Sequence, residues 1–462
     1  MTSSRKGLQI SQEAFDAVVK ENMEDFGMDL QEALQDAIHT FKLQGADLKG
    51  IITDGSKDEN PTNAPVVEII KELQNASSGA GAITIGHVQN TLHKFHSLCK
   101  EGGINTISIA GRHGGVEASI SLVRALDDRS VMNLVLEVLS VLTEDTENMG
   151  KFKGNGGLQL LMSVLKDLNK DNNTIRHACT LLSSAAKGDE VSKEQFMDLN
   201  AAEVLPKLIK ECMNDGNLVI FLCNAFRALV TSDDSRVVAS KAFMNARTFA
   251  ENGMVEALLL ASSQLQGSSS AITSICMALK SLAVNENICK SIAEQKGIDF
   301  ILQVMAESIK ICDKSVAKSA CSFLSQLAGS DDNKEFIVMS GGLERLISIT
   351  SYFSDDPSVL QEAFTVVTAL SLRSPQNALK AVQVGALDIV AEAMECHPAA
   401  GTMQRQACLL LRNFAVRSSE IRSAVLEKGL ESLIRQAKRM HASCKDAASA
   451  ALRDLGFNDY ND

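Results

Sequence analysis

The 462-residue chain has no tryptophan, two tyrosines and six prolines. A core without indoles and almost without phenols has to be built from aliphatic side chains, and so little proline leaves few breaks in helices. Positive charge is in deficit, with 45 Lys and Arg against 57 Asp and Glu, a net charge of −12. That balance opposes nonspecific attraction to nucleic acid or to an anionic membrane surface. None of the eleven cysteines forms a C-x-x-C pair, their number is odd, and Cys179, Cys223, Cys321 and Cys408 fall on apolar faces. Reduced, buried thiols are expected rather than a disulfide framework. The opening stretch MTSSRKGLQISQEAF lacks the apolar centre of a secretion signal. No segment reaches the roughly 18 apolar residues of a membrane span. The expectation is a chain of the cytoplasm or nucleus that binds neither membrane nor nucleic acid.

Chemical motifs are equally scarce. There is no G-x-x-x-x-G-K-[ST], G-x-S-x-G or H-E-x-x-H. The stretch GKFKGNGG at 150–157 is rich in glycine and lysine but follows a helical pattern, and it reads as a turn rather than a phosphate loop. His93, His96 and Cys99 share one helical side, with His87 near them and His113 further along. A zinc site usually needs four converging ligands, and helical spacing alone supplies three. No enzyme activity, cofactor, metal or small-molecule substrate is therefore expected.

Helical patterning fills the rest. Two amphipathic helices are expected at 11–26, with Ser11 as cap, and at 29–43, with Asp29 as cap and Glu32 three residues on. Polar and glycine-rich stretches, TDGSKDENPTNAP and NASSGAGAITIG, flank a short helix at 66–73. The expected organisation is an N-terminal helical segment at 1–50, a flexible linker with a short helix at 51–82, an array at 83–457 and a disordered tail at 458–462. The N-terminal pair is expected to be either a second docking element or an autoinhibitory one that folds into the groove, and acidic side chains such as Glu13, Asp16, Glu21 and Asp25 make the latter physically reasonable.

Inside the array a short aliphatic helix recurs, starting at Gly157, Ala201, Gly253, Gly297, Gly342, Gly385 and Gly429. The intervals are 44, 52, 44, 45, 43 and 44 residues. The one long interval is assigned to VVASKAFMNARTFAEN, read as an enlarged first helix at 237–252. After each short helix and a polar turn comes a longer apolar one, as in NLVIFLCNAFRALV, SAITSICMALKSLA and TMQRQACLLLRNFAV. A period of 40–47 residues with only helical patterning marks a helical solenoid of three-helix units.

These features resemble the armadillo family over residues 83–456, the third helices ending near its A-L-x-N-L pattern. The resemblance implies an all-α, right-handed armadillo-type superhelix that binds extended peptides along its third helices. Importin α, within that family, reads peptides with an Asn near the end of this helix and a Trp one turn earlier. Here the Asn register holds Val141, Ser184, Ala228, Ser281, Gln326, Ala369 and Asn413, and the register four earlier holds no Trp. An importin-like carrier is therefore the less favoured alternative. The position before the Asn holds Arg227, Lys280 and Arg412, and FRAL, LKSL and LRNF resemble the catenin type of groove, which presents basic residues to acidic peptides.

Charge counting agrees. Six third helices carry ten basic residues, Arg176, Lys187, Arg227, Lys280, Lys314, Lys318, Arg373, Arg405, Arg412 and Arg417, against one acid, Glu362. A basic surface on an acidic body attracts acidic segments. The expected function is a noncatalytic scaffold or adaptor for protein partners with acidic, extended segments. The expected contacts are Arg176, Asn224, Arg227, Lys280, Lys318, Gln326, Arg405, Arg412 and Asn413.

Overall fold

The computed structural model describes residues 8–10, 12–48, 51, 53, 65–78, 84–126, 128–167 and 171–460. It divides into two packing units, Met1–Leu199 and Asn200–Asp462.

The first unit opens with a small helical hairpin, α1 (Gln12–Glu24) and α2 (Leu30–Leu43). Asp29 caps α2 as expected, its carboxylate accepting from the amides of Gln31 and Glu32. Ser11 lies outside the described residues. The hairpin closes on its own core of Phe15, Val19, Ala33, Leu34, Ala37, Phe41 and Ile51. A two-residue parallel pairing of Leu8–Gln9 with Ala46–Asp47 ties its ends together.

The helix expected inside a linker is longer and firmly packed. Helix α3 (Pro65–Ser77) buries Val66, Val67, Ile69, Ile70 and Leu73. It packs on α4 (Ile85–Arg112) and α5 (Gly115–Ala125). The array therefore begins at α3 rather than near residue 83, because five buried aliphatic side chains within eight residues need a partner surface. Of the rest of the expected linker, 52, 54–64 and 79–82 lie outside the described residues. Gly103, at φ 61° and ψ −154°, breaks α4 into two helical pieces. The unit continues through α6 (Arg129–Leu142), α7 (Thr146–Gly154), α8 (Gly157–Lys166), α9 (Asn172–Ala186) and α10 (Glu190–Asp198). GKFKGNGG is the end of α7 and the turn into α8, as expected.

The second unit starts with α11 (Ala201–Glu211) and α12 (Gly216–Leu229). Three-helix repeats follow: α13 (Ala242–Glu251), α14 (Met254–Gln264) and α15 (Ser269–Leu282), then α16 (Glu286–Glu294), α17 (Gly297–Lys310) and α18 (Lys314–Leu327). Next come α19 (Asp331–Met339), α20 (Gly342–Tyr352) and α21 (Pro357–Ser371), then α22 (Pro375–Gln383), α23 (Ala386–Cys396) and α24 (Gly401–Arg417). The last repeat is α25 (Ser419–Glu427), α26 (Leu430–Met440) and α27 (Lys445–Leu455). Third helices α12, α15, α18, α21, α24 and α27 pack one on the next like rungs.

Two details correct the sequence reading. Helix α13 is not enlarged; the extra residues of that repeat form an irregular stretch at 231–241. There the Asp234 carboxylate accepts from the backbone amide of Arg236 and from its guanidinium, a local turn that competes with helix. The C-terminal tail is also anchored as far as residue 460: Arg435 binds Asp459 and stacks over Phe457, and Lys438 donates to the Tyr460 carbonyl.

The glycines before each second helix do two jobs. Gly341 takes the left-handed conformation, φ 81°, that reverses the chain between α19 and α20. Its neighbour Gly342 is needed for closeness: a Cβ there would sit 2.7 Å from the Ile337 carbonyl oxygen.

All eleven cysteines are free thiols. Burial pushes Cys223, Cys276, Cys321 and Cys408 up to about 12, so they are protonated and unreactive at pH 8. Cys312 and Cys396 are exposed. Alkylation of the native protein at pH 8 is expected to label these two first. Mass spectrometry showing early modification of Cys223 or Cys321 would contradict this packing.

Candidate docking surface on the third helices

The nine residues expected to form the site divide sharply once placed. Arg176 stands exposed on α9 of the first unit. The other eight lie on α12, α15, α18 and α24 of the second.

The amides mostly hold the ladder together. Asn413 is only 9% exposed, and its Nδ2 donates to Ser371 Oγ on α21 at 2.7 Å. Gln326 Nε2 donates to the carbonyl of Ala283, at the end of α15, at 2.9 Å. Each therefore joins one rung to the one before it. The expectation that Asn413 faces an open groove beside Arg412 needs correction: position 413 turns into the contact between α21 and α24, where the helix partner satisfies the amide. Among these three amides only Asn224 is exposed with no hydrogen-bond partner among the described residues.

The cations behave differently. Lys280 reaches across to α18, its amine donating to Ser322 Oγ at 2.6 Å, with no carboxylate within ion-pair distance among the described residues. Arg227 is half-buried, and its Nε has no hydrogen-bond partner among the described residues. Lys318 and Arg405 are exposed and likewise have no carboxylate within ion-pair distance among the described residues. Arg412 is the exception: its Nε donates to Asp454 Oδ2 on α27 at 3.0 Å. Asp454 also accepts from Arg453, and with both guanidinium groups beside it its carboxyl is held below the usual range despite partial burial.

Away from the rungs, several lysines of the second unit are paired. Lys290 meets Glu286 and Asp332, Lys310 meets Glu307, Lys334 meets Asp331 and Lys428 meets Asp388. Lys314, at the start of α18, meets Asp355 and Asp356. Arg227, Lys280, Lys318 and Arg405, which lack a carboxylate partner among the described residues, thus lie on α12, α15, α18 and α24. Hydroxyls are frequent on these rungs and on α21, including Thr273, Ser274, Ser325, Thr365 and Thr368.

The asparagine ladder absent from the third helices exists on the first helices, where the sequence reading did not look. Asn148, Asn245, Asn333 and Asn377 lie in the first turns of α7, α13, α19 and α22, all nearly fully buried. Their Nδ2 groups donate to Leu142, Leu229, Leu327 and Leu370, carbonyls at the ends of the preceding third helices. The 44-residue step from 333 to 377 was visible in the sequence, but buried struts and ligand readers use the same residue type.

The candidate metal ligands do not converge. Cys99 is buried and its thiol is pushed up to about 12, whereas His93 is exposed and His96 faces Glu137 at 3.9 Å. Among the described residues no three His, Cys, Asp or Glu side chains form a metal cage, and no helix is long and apolar enough to cross a membrane.

Comparison with known proteins fits this architecture. A solved chain from a study of a phosphorylation switch controlling the interaction between cadherin and beta-catenin superposes with a TM-score of 0.61 at 15% identity. The match covers 95% of this chain and 80% of that one, and establishes the armadillo solenoid fold. Armadillo repeat-containing protein 6 of Pongo abelii and of Homo sapiens are each 28% identical, over 80% of this chain and 75% of theirs. The homolog of that protein from Drosophila melanogaster is 26% identical, over 80% of this chain and 78% of its own. The model of the armadillo repeat-containing protein 6 N-terminal domain matches residues 7–65, which hold the hairpin, and the ARMC6 model matches 66–459, opening at α3. The chain belongs to the armadillo repeat-containing protein 6 family.

Proposed function

We propose that the chain is a noncatalytic protein-interaction scaffold whose third helices dock acidic, extended partner segments. The observation that carries the reading is a row of cations on stacked third helices: Arg227, Lys280, Lys318 and Arg405 have no carboxylate within ion-pair distance among the described residues. A cation left without a counter-charge beside other cations gains most from a carboxylate supplied by a partner. On the first unit, taken by itself, Arg176 is exposed on α9, and on the second Asn224 offers an open amide for a peptide backbone. Arg412, shared with Asp454, contributes less, and Gln326 and Asn413 support the rungs. An importin-like carrier is less well supported, because the aromatic slots and repeated open amides are missing from these rungs.

The reading makes a direct prediction. An extended peptide of about 15 residues spans roughly 50 Å, enough for five rungs at about 8–10 Å each. A fluorescein-labelled acidic peptide of this length is expected to bind the full chain with an affinity that falls steeply as salt rises from about 0.1 to 0.5 M. The combined Arg227→Glu, Lys280→Glu and Arg405→Glu variant is expected to bind about a hundredfold more weakly. Lys428→Glu, which removes a paired cation off the rungs, should bind as the native chain does. Equal anisotropy curves for native and triple-variant protein, both folded by circular dichroism, would overturn the proposal.

A further inference from the structure

The cations are not spread evenly over the rungs. Arg227 lies on α12, Lys280 on α15 and Lys318 on α18, three consecutive rungs. The fourth rung, α21, presents no cation; its outward face carries Gln361, Glu362, Thr365 and Thr368. Positive charge returns on the fifth, α24, with Arg405 and Arg412. Glu362 is half-exposed and has no cation within ion-pair distance among the described residues. Its field reaches α18, where it adds to the burial that raises the Cys321 thiol. Glu362, the one acid on α12, α15, α18, α21 and α24, therefore stands unneutralised among cations that lack a carboxylate.

We infer that the partner segment is acidic but interrupted, with a basic residue placed to meet Glu362. The inference rests on the docking function proposed above and specifies its ligand. Neighbouring rungs lie about 8–10 Å apart and an extended chain advances about 3.3 Å per residue, so each rung corresponds to roughly three residues. Acidic side chains then recur about every third position along three rungs. The fourth step carries lysine or arginine, and the fifth is acidic again. A continuous acidic run would bring a carboxylate against Glu362, and like charges so placed repel. Glu362 thereby acts as a specificity element, admitting one pattern of acidic segment and disfavouring uniform ones.

The test uses labelled peptides that share acids at four rung-spaced positions and differ only at the position facing α21, which is Lys, Ala or Asp. With the native full chain the expected order of affinity is Lys, then Ala, then Asp, with about five- to tenfold between neighbours. With Glu362→Lys the order should invert. With Glu362→Gln, a near-isosteric change, the preference for Lys over Ala should vanish. Inversion supports the inference. If all three peptides bind the native chain equally, and Glu362→Lys strengthens each alike, the register is wrong while acidic docking stands. If no peptide binds at all, the docking function itself fails and this inference falls with it.

Discussion

Replacing Asn333 with aspartate is expected to cost about 3–5 kcal/mol of stability at neutral pH, the scale of an uncompensated buried charge. Asn333 is 3% exposed, and its amide nitrogen donates to the carbonyls of Cys289 and Leu327 at 3.1 and 3.3 Å. It thus ties α19 to both the first and the third helix of the preceding repeat. Aspartate has nearly the same shape, so packing is kept while two donor contacts become carboxylate–carbonyl repulsions. The new carboxyl is held protonated in the folded chain, with its pKa above the unfolded value near 4. The variant is therefore expected to be closest to native stability below about pH 4 and to lose stability as pH rises above it. In a solenoid, where each repeat touches only its neighbours, weakening one interface also lets the flanking repeats unfold separately. Urea titrations followed by circular dichroism at pH 4 and pH 7 would show this as a lower midpoint and a broader or split transition at pH 7. Native-like unfolding at both values would mean that the strut contributes little.

The second large effect is expected from Phe226→Ala, about 3–5 kcal/mol for emptying a fully buried aromatic site. Phe226 has no exposed surface, and its ring meets Phe249 of α13 edge-on at 4.9 Å and 81°. In an aliphatic core with no tryptophan, such a ring is a large share of the local packing. Phe226 immediately precedes Arg227 in α12, so the same substitution should loosen the first rung cation of this unit and weaken acidic-peptide binding. Phe226→Leu, which refills most of the volume, should recover most of the stability. A loss below about 1 kcal/mol for the alanine variant would indicate that α12 and α13 close over the gap.

Much of the architecture could be read before any coordinates. The third helices at 314–327 and 357–371 match their patterns to within a residue or two, because aliphatic periodicity and capping aspartates such as Asp313 and Asp356 act within a few residues. The repeat glycines were found, but their roles were not separable: Gly342 is held by proximity to Ile337, and the left-handed turn belongs to Gly341. Asn200 and Lys296 adopt that same left-handed conformation without glycine, which composition could not have indicated. Residues 237–241 were misread as the start of a helix since Val237, Val238 and Ala239 suit one, whereas the preceding Asp234–Arg236 turn is decided by side-chain bonding. Helix α3 was assigned to a linker because its neighbours on both sides are polar or glycine-rich.

By itself the sequence determined the class of fold, the repeat length, the reduced thiols and the surplus of positive charge on the third helices. These follow from composition and from periodicity, which report how a segment buries its own face. Only the tertiary structure decided what each polar residue on those helices does. Among the described residues Arg227 and Lys280 are left without a carboxylate, Arg412 is shared with Asp454, and Asn413 and Gln326 turn to the neighbouring rung. Those partners lie a whole repeat away, some 37 to 45 residues along the chain in contacts such as Ser108 with Asp145 and Asn413 with Thr368. A helical pattern relates positions three or four residues apart, so which side chain meets which across two rungs is settled by how the helices stack.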